Sequence, residues 1–106
     1  MEFERSKVFN LTSSIDYSSG AVVSKTPVKK DTGNITLFSF EKGQGLSEHS
    51  APFDAFVLVT EGTGQITIGG ILYDLREGEF IIMPANVPHA IYAVSKFKMM
   101  LVMIKS

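Results

Sequence analysis

The chain has 106 residues with a formal net charge of −1; 44% of them are hydrophobic and 20% charged. That composition describes one globular domain, too short for two cores, too apolar for disorder, and without the basic surplus that nucleic acid or an anionic membrane surface attracts. It contains no cysteine, which excludes disulfides and thiolate chemistry and suits the cytoplasm.

The opening stretch, MEFERSKVFNLTSS, carries acids near its start and no apolar core, so a signal peptide is not expected. Without one, the sequons at Asn10-Leu11-Thr12 and Asn34-Ile35-Thr36 read as chance. Phe3, Val8, Phe9, Leu11 and Ile15 are too apolar for a solvated tail, and Ser18-Ser19-Gly20 reads as a loop. Residues 1–20 are predicted to form an arm packed on the domain or on a neighbouring subunit, and residues 21–106 a single domain.

Beyond the arm the hydrophobic period is two, not 3.6. Residues 34–41 (NITLFSFE), 55–60 (AFVLVT), 64–68 (GQITI), 79–83 (EFIIM), 89–94 (HAIYAV) and 97–104 (FKMMLVMI) are strand-type runs rich in Val, Ile, Phe, Tyr and Thr. Turn signals at Asp31-Thr32-Gly33-Asn34, Glu61-Gly62-Thr63-Gly64 and Glu77-Gly78 separate them, and Gly69-Gly70 is a two-residue hairpin signal. No stretch supports more than a turn or two of helix, and the longest apolar run is too short to span a membrane. Many short strands with close turns predict an all-β sandwich or barrel.

His49 and His89 are the only histidines. One lies in a pattern of Gly43, five residues, His49, then on to Gly62; the other follows Gly78, five residues and Pro84. Imidazoles at corresponding places in two β patterns are expected to point into one cavity, where a small barrel can hold a metal or a polar ligand. Strand alternation places Ala51 and Ala55 on the face of His49, and Ile91 and Ala93 on the face of His89. The predicted ligand pocket is therefore His49, Ala51, Ala55, His89, Ile91 and Ala93, and both rings, enclosed by apolar groups, should resist protonation.

The oxygen donors nearby are Gln44, Glu48 and Asp54. Alternation points Glu48 and Asp54 away from His49 unless the turn at Ser50-Ala51-Pro52 swings Asp54 inward. Met83, Tyr92, Met99, Met100 and Met103 have the length to fill the space instead. Phe53 and Phe56 read as core or subunit contacts. Ser50 adjoins His49 but alternates away from it, so no nucleophile–base pair is visible and no catalytic residue is assigned.

Residues 43–93 resemble the two motifs of the cupin superfamily. The first motif reads Gly, five residues, His, one, His, three or four, Glu, six, Gly; here it is Gly43, His49, Ala51, Ala55 and Gly62. The second reads Gly, five, Pro, one, Gly, two, His, three, Asn; here it is Gly78, Pro84, Asn86, His89 and Ala93. The interval between them, residues 63–77, matches small bacterial cupins. The resemblance implies a double-stranded β-helix (the jelly-roll barrel of cupins) over residues 21–106. It also implies that His49 and His89 occupy metal-ligand positions suited to Zn, Ni, Mn or Fe, while alanine replaces the second His, the Glu and the Asn. A catalytic zinc takes three protein ligands, and non-haem iron two His and a carboxylate, so the ligand set is incomplete. The expected function is small-molecule binding near His49 and His89, with any divalent metal weakly held. The alternative is a metal-dependent enzyme of isomerase or dioxygenase type that uses both histidines as ligands.

The strand FKMMLVMI carries large side chains on both alternating faces. One face can line a barrel; the other must be covered, which predicts a two-fold homodimer with the arm or its adjoining strand crossing between subunits. Small cupins are commonly dimers, so the resemblance implies the same.

Overall fold

In the computed structural model, which describes residues 3–105, a single 3-10 turn at Thr12–Ser14 precedes nine strands. They are β1 (Val22–Lys30), β2 (Gly33–Phe40), β3 (Gly45–His49), β4 (Ala55–Glu61), β5 (Thr63–Ile68), β6 (Ile71–Arg76), β7 (Phe80–Met83), β8 (His89–Tyr92) and β9 (Phe97–Ile104). Two antiparallel sheets result, one ordered β1-β2-β9-β4-β7 and the other β3-β8-β5-β6. The all-β expectation holds, and each run picked out by alternation is a strand. No helix among the described residues is long and apolar enough to cross a membrane.

The three strands that alternation leaves out, β1, β3 and β6, are all sheet edges. An edge strand buries little, so its sequence need not alternate. β1 even carries Pro27, at a bulge between Lys25 and Val28, where no ladder hydrogen bond is lost. β6 buries only Leu75.

The core lies between the sheets. Phe40, Val57, Val59, Ile66 and Phe97 are fully buried, and Met83 and Met99 nearly so. Phe40 stacks on Phe97 with ring centres 4.7 Å apart, and Phe38 on Phe40 at 5.8 Å. The Phe97 ring lies flat against β5 at Gly64, where a Cβ would fall 2.6 Å from Cε2, so only glycine fits. The β5–β6 hairpin turns through Gly69 (φ 56°) and Gly70 (φ 83°), the two positive dihedrals of a tight type I′ connection.

The arm lies on the outer face of the five-stranded sheet of its own chain. Ile15 is buried there. Ser39 Oγ donates to Asp16 O at 2.8 Å, Lys25 Nζ to Ser14 O at 3.2 Å, and Lys98 Nζ to Thr12 O at 2.7 Å. Tyr17 donates its hydroxyl to Glu61 Oε2 at 2.7 Å. Burial first, then that bond to a carboxylate, holds the Tyr17 phenol well above the usual tyrosine range. These anchors reach from Thr12 to Tyr17, so that part of the arm is a packed element, not a tail.

Candidate functional site

His49 ends β3 and His89 begins β8, and the two are register partners. On its other side His89 registers with Ile68 of β5. The loops flanking the pair are tied together: Asn86 N donates to Ala51 O at 2.7 Å, and Ala85 N to Asp54 Oδ1 at 2.9 Å. Asn86 takes φ 66°, a left-handed dihedral that asparagine tolerates better than most side chains. These bonds form the mouth of the barrel around the two imidazoles.

The rings face each other edge-on, with centres 4.4 Å apart and planes at 69°. Their Nε2 atoms are 3.2 Å apart. Each Nδ1 meets the carbonyl two residues earlier: His49 with Ser47 O at 2.8 Å, His89 with Val87 O at 3.2 Å. A carbonyl can only accept, so each Nδ1 carries the hydrogen and each neutral ring leaves Nε2 as a lone pair. Two lone pairs at hydrogen-bond distance repel. The arrangement is complete only when a proton, a donor group or a cation lies between or in front of them.

The two rings differ in exposure. His89 is 6% exposed; burial lowers its pKa, the carbonyl bond at Val87 opposes this, and the neighbouring His49 lowers it further. His49 is exposed at the rim, which corrects the expectation that both rings are enclosed. A bulge between Leu46 and His49 inserts one residue into β3 and so sets His49 opposite His89 on the same face; its exposure comes from its place at the open end of the strand.

Ala51 is half-buried in the mouth loop, outside any strand. Ala55, Ile91 and Ala93 are buried in the core as alternation predicts, but not all near the imidazoles. Ala93 lies four residues along from His89, roughly 13 Å at the rise of a strand, and its backbone bonds Gly43 and Gln44. Ala55 is flanked in the sheet by two methionines, registering with Met83 on one side and Met103 on the other. Met83 and Met99 are buried in the core, while Tyr92 is 49% exposed. Two hollows lie away from the imidazoles, one of about 260 Å³ beneath the arm and one of about 350 Å³ beside Gln65 and Arg76.

The oxygen donors do not join the imidazoles. Asp54 spends its carboxylate on the amide of Ala85, Glu48 is exposed, and Gln44 is held at the opposite end by Ala93. Among the described residues no three His, Cys, Asp or Glu side chains converge. The spacing of the pair nonetheless suits a cation, because two nitrogens on a tetrahedral ion at 2.0–2.1 Å stand about 3.3 Å apart. The carbonyls of Ser47 and Val87, which fix the tautomers, had no signature in the sequence. A carbonyl is present at every residue, and only the backbone path aims it.

The cupin domain family matches residues 36–105. Among solved structures, a conserved protein of unknown function from Streptococcus pyogenes is 40% identical with a TM-score of 0.93, covering 100% of this chain and 93% of its own. A cupin 2 conserved barrel domain protein from Leptotrichia buccalis is 41% identical with a TM-score of 0.89, covering 92% of this chain and 47% of its own. A cupin superfamily protein from Desulfitobacterium hafniense is 27% identical with a TM-score of 0.92, covering 100% of this chain and 97% of its own. A comparison with curated proteins finds no match.

Proposed function

The chain belongs to the cupin family, and from that premise we propose that it binds a small molecule at the barrel mouth through the Nε2 atoms of His49 and His89. The observation that carries the reading is the pair of Nδ1–carbonyl bonds, which leaves two acceptors 3.2 Å apart and facing one another. A ligand that offers a hydroxyl or protonated nitrogen to both, with its body against Ala51, satisfies acceptors that otherwise oppose each other. Ala55 and Ile91 form the apolar wall behind, and Ala93 closes the same inner face further in.

The residues present fit a divalent metal (Zn, Ni, Mn or Fe) held by His49 and His89 alone, its remaining positions supplied by the ligand or water. They do not fit the three-ligand set of a catalytic zinc. Bound that way, the metal would supply a Lewis-acidic contact to a ligand oxygen. The second reading, a metal-dependent enzyme of isomerase or dioxygenase type, is favoured only by the Nε2 spacing. The absence of cysteine supports a cytoplasmic site of action.

The test is an imidazole-nitrogen NMR titration of protein purified without a tag and dialysed against chelator. Zn²⁺ and a set of small polyols and amino compounds serve as probes. Both rings should show hydrogen on Nδ1, and both Nε2 signals should respond to the same probe. His49→Ala and His89→Ala should each weaken that response, with the double variant little worse than either. Hydrogen found on Nε2 of either neutral ring, or additive losses, would refute the reading. Near-stoichiometric metal surviving dialysis would move the conclusion to the second one.

A further inference from the structure

We propose that the free edge of β6 takes up an extended peptide strand, and that the hollow beside Gln65 and Arg76 receives a side-chain amide from it. The four sheet edges, β1, β7, β3 and β6, are not equally protected. β1 carries Pro27, a bulge and the lysines at 25, 29 and 30; β3 is broken by a bulge; β7 is only four residues long. Such devices keep an edge from recruiting another chain. β6 has none of them: its six residues contain no proline and run in unbroken register with β5. Its first three, Ile71, Leu72 and Tyr73, are 59%, 52% and 38% exposed.

The alternation of an antiparallel ladder says which backbone groups are free. Ile68 and Ile71 flank the two-residue turn and form a directly bonded pair. The N–H and C=O of Ile71, Tyr73 and Leu75 therefore face β5, and those of Leu72, Asp74 and Arg76 face away from it. Arg76 is already occupied: its N–H donates to Glu79 Oε1 at 2.7 Å, and its C=O accepts from Glu79 N at 2.9 Å. Leu72 and Asp74 have no such partner among the described residues, and past the turn the chain joins the other sheet as β7. Each offers one donor and one acceptor to an antiparallel strand laid alongside.

Main-chain bonds hold a strand added in this way, and pockets for its alternate side chains select it. The hollow of about 350 Å³ on this face is lined by Gln65, Asp74, Arg76 and Val94. Asp74 and Arg76 share one face of β6, about 7 Å apart along the strand. Among the described residues their side chains bond neither each other nor any other group. A residue set opposite Asp74 puts its own side chain on the same face. Lysine there would meet Arg76, and glutamate would meet Asp74. A glutamine amide donates to Asp74 and accepts from Arg76, so it satisfies both charges. The residue two places along lies opposite Leu72 and is matched by an apolar side chain.

A second β6 is the poorer occupant. A two-fold that pairs Leu72 with Asp74 sets a carboxylate against leucine in both halves, and one centred on Asp74 sets two carboxylates together. The chemistry of the edge thus selects a peptide of different sequence, apolar along its length with an amide at one outward position.

The probe is an acetylated and amidated peptide of ordinary strand length, with glutamine at its centre, valines beside it and threonines at its ends. Added at millimolar concentration to the isotope-labelled full chain, it should slow amide exchange at Leu72 and Asp74 by at least about tenfold and change Tyr73, already bonded to β5, far less. Methylating the peptide nitrogens that would donate to Leu72 and Asp74 should abolish the effect. Lysine or glutamate in place of the glutamine should bind several-fold more weakly, and Arg76→Glu should make the lysine peptide the better one. Leu72→Pro removes an outward donor while sparing the ladder with β5, so it should lose the peptide with unchanged circular dichroism. Unmoved exchange at Leu72 and Asp74, equal binding of the methylated peptide, or one affinity for all three central residues overturns the proposal. So does a doubled mass without peptide that Leu72→Pro returns to a single chain, because a second copy then already holds the edge.

Discussion

Replacing Gly64 with alanine tests how tightly the core is closed around Phe97. The added Cβ would stand 2.6 Å from Cε2, 2.9 Å from Cδ2 and 3.0 Å from Cζ of that ring, well inside contact distance. The ring cannot slide away cheaply: Phe97 is fully buried and stacked on Phe40, which stacks in turn on Phe38. Overpacking of this kind costs about 1–3 kcal/mol. Alanine returns about 0.4–1 kcal/mol by restricting the unfolded chain, because Gly64 has no positive φ to forfeit. The net loss is about 1–2 kcal/mol, which lowers Tm by roughly 5–15 °C in a domain of this size. Thermal unfolding followed by circular dichroism measures it. Phe97→Leu, costly alone, should rescue part of the loss when combined with Gly64→Ala, because the smaller side chain vacates the clash. An alanine variant as stable as the parent, or costs that simply add, would show that the ring yields and that the packing argument is wrong.

Other consequences are as direct. His89 has its pKa lowered chiefly by burial, so the unfolded chain takes up that proton first as pH falls. Stability should therefore be lost as pH drops below about 6.5, with a slope of at most about 1.4 kcal/mol per pH unit from this group and no contribution above that pH. Denaturant melts of His89→Gln should lack the component; an unchanged pH profile would count against the burial. Lys98→Met removes the bond to Thr12 O and the 3.9 Å ion pair with Glu61, so amide exchange at residues 12–17 should quicken by about tenfold, corresponding to roughly 1.4 kcal/mol. Exchange at its parental rate would show the arm to be held by Ile15 and the bonds of Lys25, Ser39 and Tyr17 without help from Lys98. Asp54→Ala frees the amide of Ala85 and should cost about 1 kcal/mol in chemical denaturation while disturbing the His49 and His89 signals across the tied loops. Undisturbed signals would separate the mouth loops from the imidazole pair.

The sequence alone carried the all-β class, the strands buried on at least one face, the hairpin at Gly69-Gly70, and the pairing of His49 with His89. Each depends on local chemistry or on spacing: a period of two, glycines able to take positive φ, and motif intervals. What stayed hidden depends on which surface faces which. Edge strands β1, β3 and β6 bury too little to announce themselves, and one of them tolerates a proline. The run FKMMLVMI is apolar on both sides, so composition cannot tell Met99, in the core, from Met100 on the outer face of the sheet. Parity counted through Pro52 could not reveal that Asp54 caps a neighbouring loop, because alternation holds only while the chain stays extended. A bulge in β3 brings His49 opposite His89, and the sheet decides their exposure: His89 lies between β3 and β5, while His49 ends an edge strand. The directions of the Ser47 and Val87 carbonyls, and with them the two opposed Nε2 atoms, exist only once the backbone has taken its path in three dimensions.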